Sequence, residues 1–542
     1  MKSSRALVVV LSLLATVAGL QLSASAAARK CFGETPTQVG TNGDDRLRGT
    51  NRRDVIVSRK GDDVVRGLGR FDIICGGPGR DVLFGGGGGE FLFGGRGDDE
   101  LNGGPGPFSD FAPGPGDDLV FGSSRAFDFL HFERAPGGIT ANLATGRATG
   151  QGSDRFVSGD ALLGGRFGDT LIGNRRDNVL VGRGGDDDLR GRAGFDFISA
   201  QRGNDAIGGG PDFDIADYYE ENADAGLDTS GPITVDLSQG TATGEGNDTL
   251  TGIEGATGST GDDTMIGDDG DNAFFLLLGG ADTATGNDGD DFFDAGLGAD
   301  DVDGGLGTDT LGMFDGRRGA PRVTGVTLDL STNTTSDGDT LAGVENAVGT
   351  FSDDNFTGDD GNNGLFSLDG DDQVAAGQGN DLVDPGNGTD DAQGGGGTDL
   401  LGNLDHFTGG LSIDLSTNTD SDGDTLGEFE DVLGTFFDDT ITGDAGPNSL
   451  FGSFGNDVLN GLAGEDLLVG GRGFDTGDGG QDTDRCEAEQ QDNCEFTWTG
   501  RLTGRAVTRG LVASHLRLEV LARLPMDRLV WRHKIFNPEL LY

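Results

Sequence analysis

The side chains best placed to do chemistry in this sequence are carboxylates, and they recur every nine residues. From Gly40 to Asn102 the chain divides without a gap into seven nonapeptides, among them Gly76-Gly-Pro-Gly-Arg-Asp-Val-Leu-Phe84. Their sixth place holds Asp45, Asp54, Asp63, Asp72, Asp81, Glu90 and Asp99. Their eighth holds Leu47, Ile56, Val65, Ile74, Leu83, Leu92 and Leu101. Four further blocks keep this phase. Residues 164–217 carry Asp169, Asn178, Asp187, Asp196, Asp205 and Asp214. Residues 258–312 carry Asp263 and Asn272, slip by one residue, and continue with Asp282, Asp291, Asp300 and Asp309. Residues 349–402 carry Asp354, Asn363, Asp372, Asp381, Asp390 and Asp399, and residues 434–478 carry Asp439, Asn448, Asp457, Asp466 and Asp475. Two degenerate copies surround Asp118 and Asp128. Chance does not keep an acid and an aliphatic in fixed phase seven times in succession, as the first block does.

Such a pattern offers oxygen donors alone. If equivalent aspartates stack, their charges repel, and a column of them cannot stay ionised and empty. A hard divalent cation with oxygen ligands neutralises it, with turn carbonyls completing the shell. The listed aspartates are therefore the candidate metal ligands. Glu90 is longer, and Asn178, Asn272, Asn363 and Asn448 keep an oxygen but lose a charge, so sites at those five positions are expected to be weaker or vacant.

The elements that must position these carboxylates follow from the repeat itself. Its glycines permit positive φ and close backbone approach, as a tight turn requires. The Asp-x-aliphatic end is short and extended, with the aliphatic pointing one way and its neighbours the other. Nine residues make one turn and one short strand, and two nonapeptides close one coil of a flattened right-handed solenoid. Coils stack at about 4.8 Å, the spacing of neighbouring strands, which sets Asp45 over Asp63. The expected fold is all-β: tandem parallel β-roll blocks of nonapeptide repeats joined by β-rich spacers.

At this point the sequence resembles the RTX, or haemolysin-type, calcium-binding repeat proteins, whose consensus is Gly-Gly-x-Gly-x-Asp-x-aliphatic-x. The resemblance covers roughly half of the chain. It implies a parallel β-roll with Ca2+ held between successive turns, and a bacterial, secreted origin. Filling the aligned aspartate pairs with dications would cancel more than half of the net charge, so metal binding is expected to supply folding free energy.

Composition removes the competing chemistries. Lys and Arg number 38 against 93 Asp and Glu, a net charge of −55. So negative a surface repels nucleic acid and anionic lipid. The four lysines, at 2, 30, 60 and 534, provide no phosphate-binding loop. Glycine, at 104 residues, argues against a mostly helical chain. No His-Glu-x-x-His and no Gly-x-Ser-x-Gly occurs, so the zinc protease and lipase signatures are missing. Stretches such as Asp268-Asp-Gly-Asp-Asn272 lack the flanking helices and terminal Glu of a helix–loop–helix calcium site. Carboxylate pairs are too abundant to single out a catalytic one, and glycine triplets are by-products of the repeat. The four histidines, at 131, 406, 515 and 533, do not neighbour a cysteine at zinc-ligand spacing.

A longer repeat interleaves with the first. Gly138-Ile-Thr-Ala-Asn-Leu143, Pro232-Ile-Thr-Val-Asp-Leu237, Gly325-Val-Thr-Leu-Asp-Leu330 and Gly410-Leu-Ser-Ile-Asp-Leu415 align, and each alternates as a strand. In the last three copies Asp-Thr-Leu follows, at 248–250, 339–341 and 424–426, and then an acidic segment with Glu254, Glu345 or Glu430. These spacers, at 103–163, 218–257, 313–348 and 403–433, are expected to extend the solenoid or pack beside it. The repeat blocks lie between them, the first running from residue 29 to 102.

Residues 1–28 read as a secretory signal: Lys2 and Arg5, an apolar run from Ala6 to Leu20, and the small residues Ala24-Ser25-Ala26. Export favours disulfides among Cys31, Cys75, Cys486 and Cys494. The close pair Cys486–Cys494 is the first choice, within a cap at 479–500, and Cys31–Cys75 would staple the N-terminal end. Residues 501–542 are basic and are read as a floppy appendage or sequence beyond the natural stop, with one helix over Leu511–Leu524 as the alternative. The reading is a secreted Ca2+-binding protein without catalysis, without nucleic-acid partners and without membrane insertion of the mature chain. Two alternatives stand beside it: a surface adhesin or S-layer-like spacer, and a polysaccharide-modifying enzyme with its site in the spacers. Contact with cell envelope or polysaccharide belongs to those alternatives.

Overall fold

The computed structural model describes residues 30–497, apart from 124–126, 220, 223–226, 229–230, 277–278, 314–323, 405, 407–408, 489 and 495. The signal expected at 1–28 and the basic tail at 501–542 lie outside the described residues. Every regular element among those described is a β-strand. The chain divides into two compact units, up to Asp268 and from Asp269.

In the first unit the nonapeptides alternate between two parallel sheets. Val55–Val57, Asp72–Pro78 and Glu90–Arg96 stand side by side in one, and Arg46–Arg48, Val64–Leu68 and Val82–Gly86 in the other. Val55 pairs with Ile73, and Val64 with Val82, so the register advances by eighteen residues and two repeats close each turn. The expected β-roll is therefore the fold. Within Val64–Leu68 the period of two is visible: Val65 is buried and Arg66 exposed. The eighth-place aliphatics Ile56, Val65, Ile74, Leu83, Leu92 and Leu101 are fully buried and form a thin core between the sheets. Glycine makes the turns possible. Gly77 sits at φ +114, and a Cβ there would overlap the carbonyl oxygen of Arg59 on the preceding turn.

The N-terminal end of the first sheet is covered. Cys31 is bonded to Cys75, with Cα atoms 5.9 Å apart, and is fully buried against Val55, Ile73 and Phe91. Phe32 and Phe71 pack on Phe91 at centroid distances of 5.1 and 5.0 Å. The segment lies across three successive turns of the first sheet and covers the equivalent apolar residues Val55, Ile73 and Phe91.

The spacers enter the second sheet as three-stranded antiparallel inserts. Thr140–Asn142 pairs with Arg147–Thr149, which pairs with Ser153–Phe156. The last strand lies parallel to Leu119–Phe121 of the preceding turn, and the first lies parallel to Thr170–Ile172 of the following one. The chain thus steps ahead along the sheet and folds back before continuing. Thr234–Asp236, Thr241–Thr243 and Asn247–Thr251 repeat the device. Gly146 and Gly240, at φ +64 and +62, make the reversal. The inserts thus belong to the second sheet, while other spacer strands, Phe108–Ala112, Phe127–His131 and Gly255–Thr257, continue the first.

The second unit uses the same parts. Ala273–Phe275, Phe292–Asp294 and Thr310–Gly312 begin one sheet, Thr283–Asp288 and Asp301–Leu306 the other. Its inserts are Thr327–Asp329 with Thr334–Thr335 and Thr340–Ala342, and Ser412–Asp414 with Thr419–Asp420 and Thr425–Gly427. Asn333 and Asn418, at φ +57 and +58, replace glycine at the reversal, and asparagine tolerates that region best after glycine. The roll ends in a shortened turn, where Arg485 pairs with Phe496 and Cys486 is bonded to Cys494. Both disulfides match the expected pairing.

Candidate metal centres

Each turn edge carries a column of acids one turn apart. On the first edge of the first unit the main-chain N–H of Asp45 donates to Oδ1 of Asp63 at 2.7 Å, that of Asp63 to Asp81 at 2.9 Å, and that of Asp81 to Asp99 at 2.8 Å. On the second edge Asp54 donates to Oδ1 of Asp72 at 2.7 Å, and Asp72 to Oε2 of Glu90 at 3.1 Å. One carboxylate oxygen therefore closes the turn below it. The other is left over. Oδ2 of Asp63, Asp72, Asp81 and Asp99 is buried and makes no hydrogen bond. Burying such an atom unpaired is costly, so it calls for a partner that the side chains do not supply.

Glycine opens the space in front of that oxygen. A Cβ on Gly76 would lie 2.5 Å from Oδ2 of Asp81 and 2.5 Å from the carbonyl oxygen of Gly94 on the next turn. On Gly49 it would lie 2.8 Å from Oδ2 of Asp54 and 2.6 Å from the carbonyl oxygen of Gly67. A carboxylate oxygen and a turn carbonyl of the neighbouring coil converge in each cradle; Oδ2 of Asp81 is unpartnered, whereas that of Asp54 accepts the N–H and the hydroxyl of Thr50. Among the described residues no three His, Cys, Asp or Glu side chains gather into a metal-holding group. The cradle at Gly76 instead pairs one carboxylate oxygen with a main-chain carbonyl oxygen, a donor type that suits a hard cation.

The electrostatics point the same way. Burial, the largest cause, pushes the Asp99 carboxyl up to about 8, with Asp118, Asp81 and Asp98 adding to it and the N–H of Asp81 opposing. Asp81 rises to about 7 and Glu90 to about 8, again chiefly by burial. Asp196 reaches about 9 through burial and the neighbouring Asp214. These groups resist ionisation until positive charge is brought to them.

The structure places all the sequence-derived candidates in these columns. On the first edge Asp169, Asp187 and Asp205 follow one another. In the second unit Asp282 and Asp300 do so, as do Asp354, Asp372 and Asp390, and Asp439, Asp457 and Asp475. On the second edge stand Asp196 and Asp214, Asp291 and Asp309, Asp381 and Asp399, and Asp466. Asp263, Asp354 and Asp439 also accept the main-chain N–H of Ile233, Val326 and Leu411, the residues just before an insert's first strand. Asp169 does the same for Ile139. At those four levels an apolar residue replaces the column acid.

Sequence reasoning missed the acids that the inserts return to the columns. Asp118 donates its N–H to Asp154, Asp205 to Asp248, Asp300 to Asp339 and Asp390 to Asp424. Glu254, Glu345 and Glu430 accept from Asp214, Asp309 and Asp399, their longer side chains reaching where the chain re-enters. Asp160 accepts from Asp128, and Asp484 from Asp466. The Asp-Thr-Leu triplets at 248, 339 and 424 carry the Asp-x-aliphatic cadence of the repeat, and that was the signal available.

One charged cluster in the first unit stands outside the columns. His131 is buried between Oδ1 of Asp110, 2.8 Å from Nε2, and Oε1 of Glu133, 3.0 Å from Nδ1, and Arg183 pairs with Glu133. Burial alone would lower the ring's pKa, but the two carboxylates override it and hold His131 at about 9. Glu133 is raised by burial and then drawn down to about 2 by His131 and the arginines.

The family model of the RTX calcium-binding nonapeptide repeat matches residues 39–74, 75–106, 163–198, 182–216, 278–311, 348–383, 366–401, 433–468 and 442–477. These spans fall on the repeat blocks, apart from residues 258–277 of the third, and leave the inserts between them. No curated protein matches the chain.

Proposed function

We propose, from the premise that the chain is built on the RTX calcium-binding nonapeptide repeat, that it is a secreted β-roll whose folding is completed by Ca2+ after export. The observation that carries the reading is the cradle at Gly76, where the unpartnered, buried Oδ2 of Asp81 meets the Gly94 carbonyl oxygen of the next turn. Bound Ca2+ would supply positive charge and accept oxygen ligands there. The aspartates of both columns would hold it, and their Oδ1 atoms would keep adjacent turns in register. The fit rests on donor chemistry: carboxylate and carbonyl oxygens in glycine-lined space, without nitrogen or sulfur.

The coupling of metal to folding follows from charge and core size. The chain carries −55, and its core is a thin layer of aliphatics. Without cations the columns would remain either repelling or protonated. Extracellular calcium modules commonly bind at about 10⁻⁴–10⁻³ M, which separates a low-calcium interior from a high-calcium exterior. Nothing in the columns requires catalysis, and the carboxylates are used as ligands and turn locks.

Calorimetric titration of the chelator-treated chain with Ca2+ tests this reading. Multiple sites per chain, saturating in the sub-millimolar to millimolar range, are expected, whereas an absence of binding heat and of bound Ca2+ would overturn it. Cell fractionation tests the location: the chain should appear in culture fluid without residues 1–28.

A further inference from the structure

The first acid of a repeat block is held differently from those that follow it. Asp263, Asp354 and Asp439 each open the first-edge column of their block. Four residues before each stands a hydroxyl: Ser259, Thr350 and Thr435 fill the second place of the nonapeptide, where the consensus has glycine. We propose that these three aspartates are hydrogen-bonded anchors and not calcium ligands, so that the string of calcium sites on that edge begins one turn later. This rests on the calcium reading above and narrows it.

Both oxygens of each anchor are engaged by donors. Oδ2 of Asp354 accepts the N–H of Thr350 at 2.7 Å, while Oδ1 accepts the Thr350 hydroxyl at 3.0 Å and the N–H of Val326 at 2.7 Å. Asp439 repeats the set with the N–H and hydroxyl of Thr435 at 2.7 and 2.9 Å and the N–H of Leu411 at 2.7 Å. Asp263 does so with Ser259 at 2.6 and 2.9 Å and with Ile233 at 2.9 Å. The hydroxyls are fixed in turn, accepting the N–H groups of Gly261, Ser352 and Phe437 at 2.9, 3.1 and 3.0 Å. One turn further along the arrangement changes. Asp372 and Asp457 accept the N–H groups of Asp354 and Asp439 through Oδ1 and keep a buried Oδ2 that makes no hydrogen bond.

The difference originates in the second place of the repeat. In interior repeats it is held by residues such as Gly377 and Gly471, at φ +109 and +100, a region that a β-branched residue avoids. Thr350 and Thr435 do not adopt positive φ, and their N–H groups turn inward onto the carboxylate four residues on. A carboxylate that accepts three such bonds is stabilised as the anion without a metal. A buried oxygen without a donor is not, and leaving it unpaired is costly. A cation approaching Oδ2 of Asp354 would have to displace the N–H of Thr350, whereas at Asp372 it meets an open oxygen. On the second edge the opening place is held by Asn363 and Asn448, whose Oδ1 atoms accept the N–H groups of Asp359 and Asp444, both at 2.8 Å. The opening place therefore requires an acceptor, charged or neutral. The third donor to each anchor precedes an insert strand, so the anchor also ties the insert to the block that follows.

The test is Ca2+ stoichiometry of the full chain by calorimetry, with metal content of the dialysed protein as a second readout. Asp354→Asn is expected to bind as many Ca2+ as the parent chain, and Asp372→Asn at least one fewer. Thr350→Val, which exchanges the hydroxyl for a methyl group, is expected to lower the denaturant midpoint in saturating Ca2+ with the number bound unchanged, and Thr350→Ser to match the parent. If Asp354→Asn fails to fold, Asp439→Asn set against Asp457→Asn gives the same readout in the last block. The proposal is overturned if an anchor variant loses a Ca2+ that the parent binds, or if the anchor variant and its neighbour one turn on bind equal numbers. A parent chain that binds no Ca2+ at all would instead overturn the calcium reading, and this inference with it.

Discussion

The main-chain N–H of Asp81 donates to Oδ1 of Asp99, 2.8 Å away and one full turn further along the roll. The bond does two things at once. It fixes the register of adjacent turns, and it commits one oxygen of Asp99 so that the other is presented, buried and unpartnered, to the glycine cradle. The turn register and the proposed metal contact thereby fall to the same side chain.

Removing such a side chain should cost both. Asp187→Ala strips the acceptor from the buried N–H of Asp169. An unsatisfied buried donor costs about 1–3 kcal/mol, and loss of a bound cation adds to it. We expect a loss of about 2 kcal/mol or more in Ca2+-loaded stability by denaturant titration, and fewer bound Ca2+. Unchanged stoichiometry would remove Asp187 from the ligands.

Filling a cradle should act without touching a carboxylate. Gly76→Ala places a methyl group 2.5 Å from both Oδ2 of Asp81 and the Gly94 carbonyl oxygen. Overpacking of this kind costs about 1–3 kcal/mol. Calcium titration should show weaker binding and a lower midpoint of thermal unfolding in Gly76→Ala. Gly137→Ala, whose added Cβ meets nothing within 4 Å, should match the parent chain.

The metal-free chain should be more folded in acid. Asp81 and Asp99 rise from an ordinary 3.8 to about 7 and 8 in the folded state. Raised carboxyls stabilise the fold below their unfolded pKa, and that contribution disappears as pH climbs through the folded values. In chelator, β-content should therefore fall between about pH 4 and pH 8. Ca2+ binding near neutrality should release protons, read as a dependence of binding heat on the buffer's ionisation enthalpy. A metal-free spectrum independent of pH over this window would contradict the assigned burial.

The His131 cluster predicts a different pH behaviour. With its ring held at about 9 against an ordinary 6.5, His131 contributes stability that is full below pH 6.5 and lost as pH passes 9. His131→Gln leaves Asp110 buried without its positive partner, a change that costs about 3–5 kcal/mol where a buried pair is broken. The difference from the parent chain should shrink above pH 9. A constant difference from pH 6 to 10 would show that the ring is neutral in the fold.

The roll was legible in the sequence because its signal is periodic. Asp45 to Asp99 and Leu47 to Leu101 recur every nine residues, so strand, turn and column were all fixed by phase. Asp248 was not legible as a column member, because it lies 43 residues after Asp205 and yet accepts its N–H at 2.9 Å. The antiparallel insert brings it there, and a fold-back within a sheet leaves no trace in a nine-residue phase. The one-residue slip before Asp282 was visible but its harmlessness was not: Asn272 still donates to Asp291 at 2.7 Å, nineteen residues on instead of eighteen. Asn363 read as a weakened aspartate, and only the structure shows its Nδ2 donating to the carbonyl oxygen of Glu345, a bond an ionised aspartate cannot make.

The central claim is that Ca2+ completes the fold, and far-ultraviolet circular dichroism of the chain at neutral pH tests it most directly. The account predicts a largely unordered spectrum in excess chelator and a cooperative gain of β-signal as Ca2+ is raised into the millimolar range. The same β-signal with chelator as with saturating Ca2+ would contradict it.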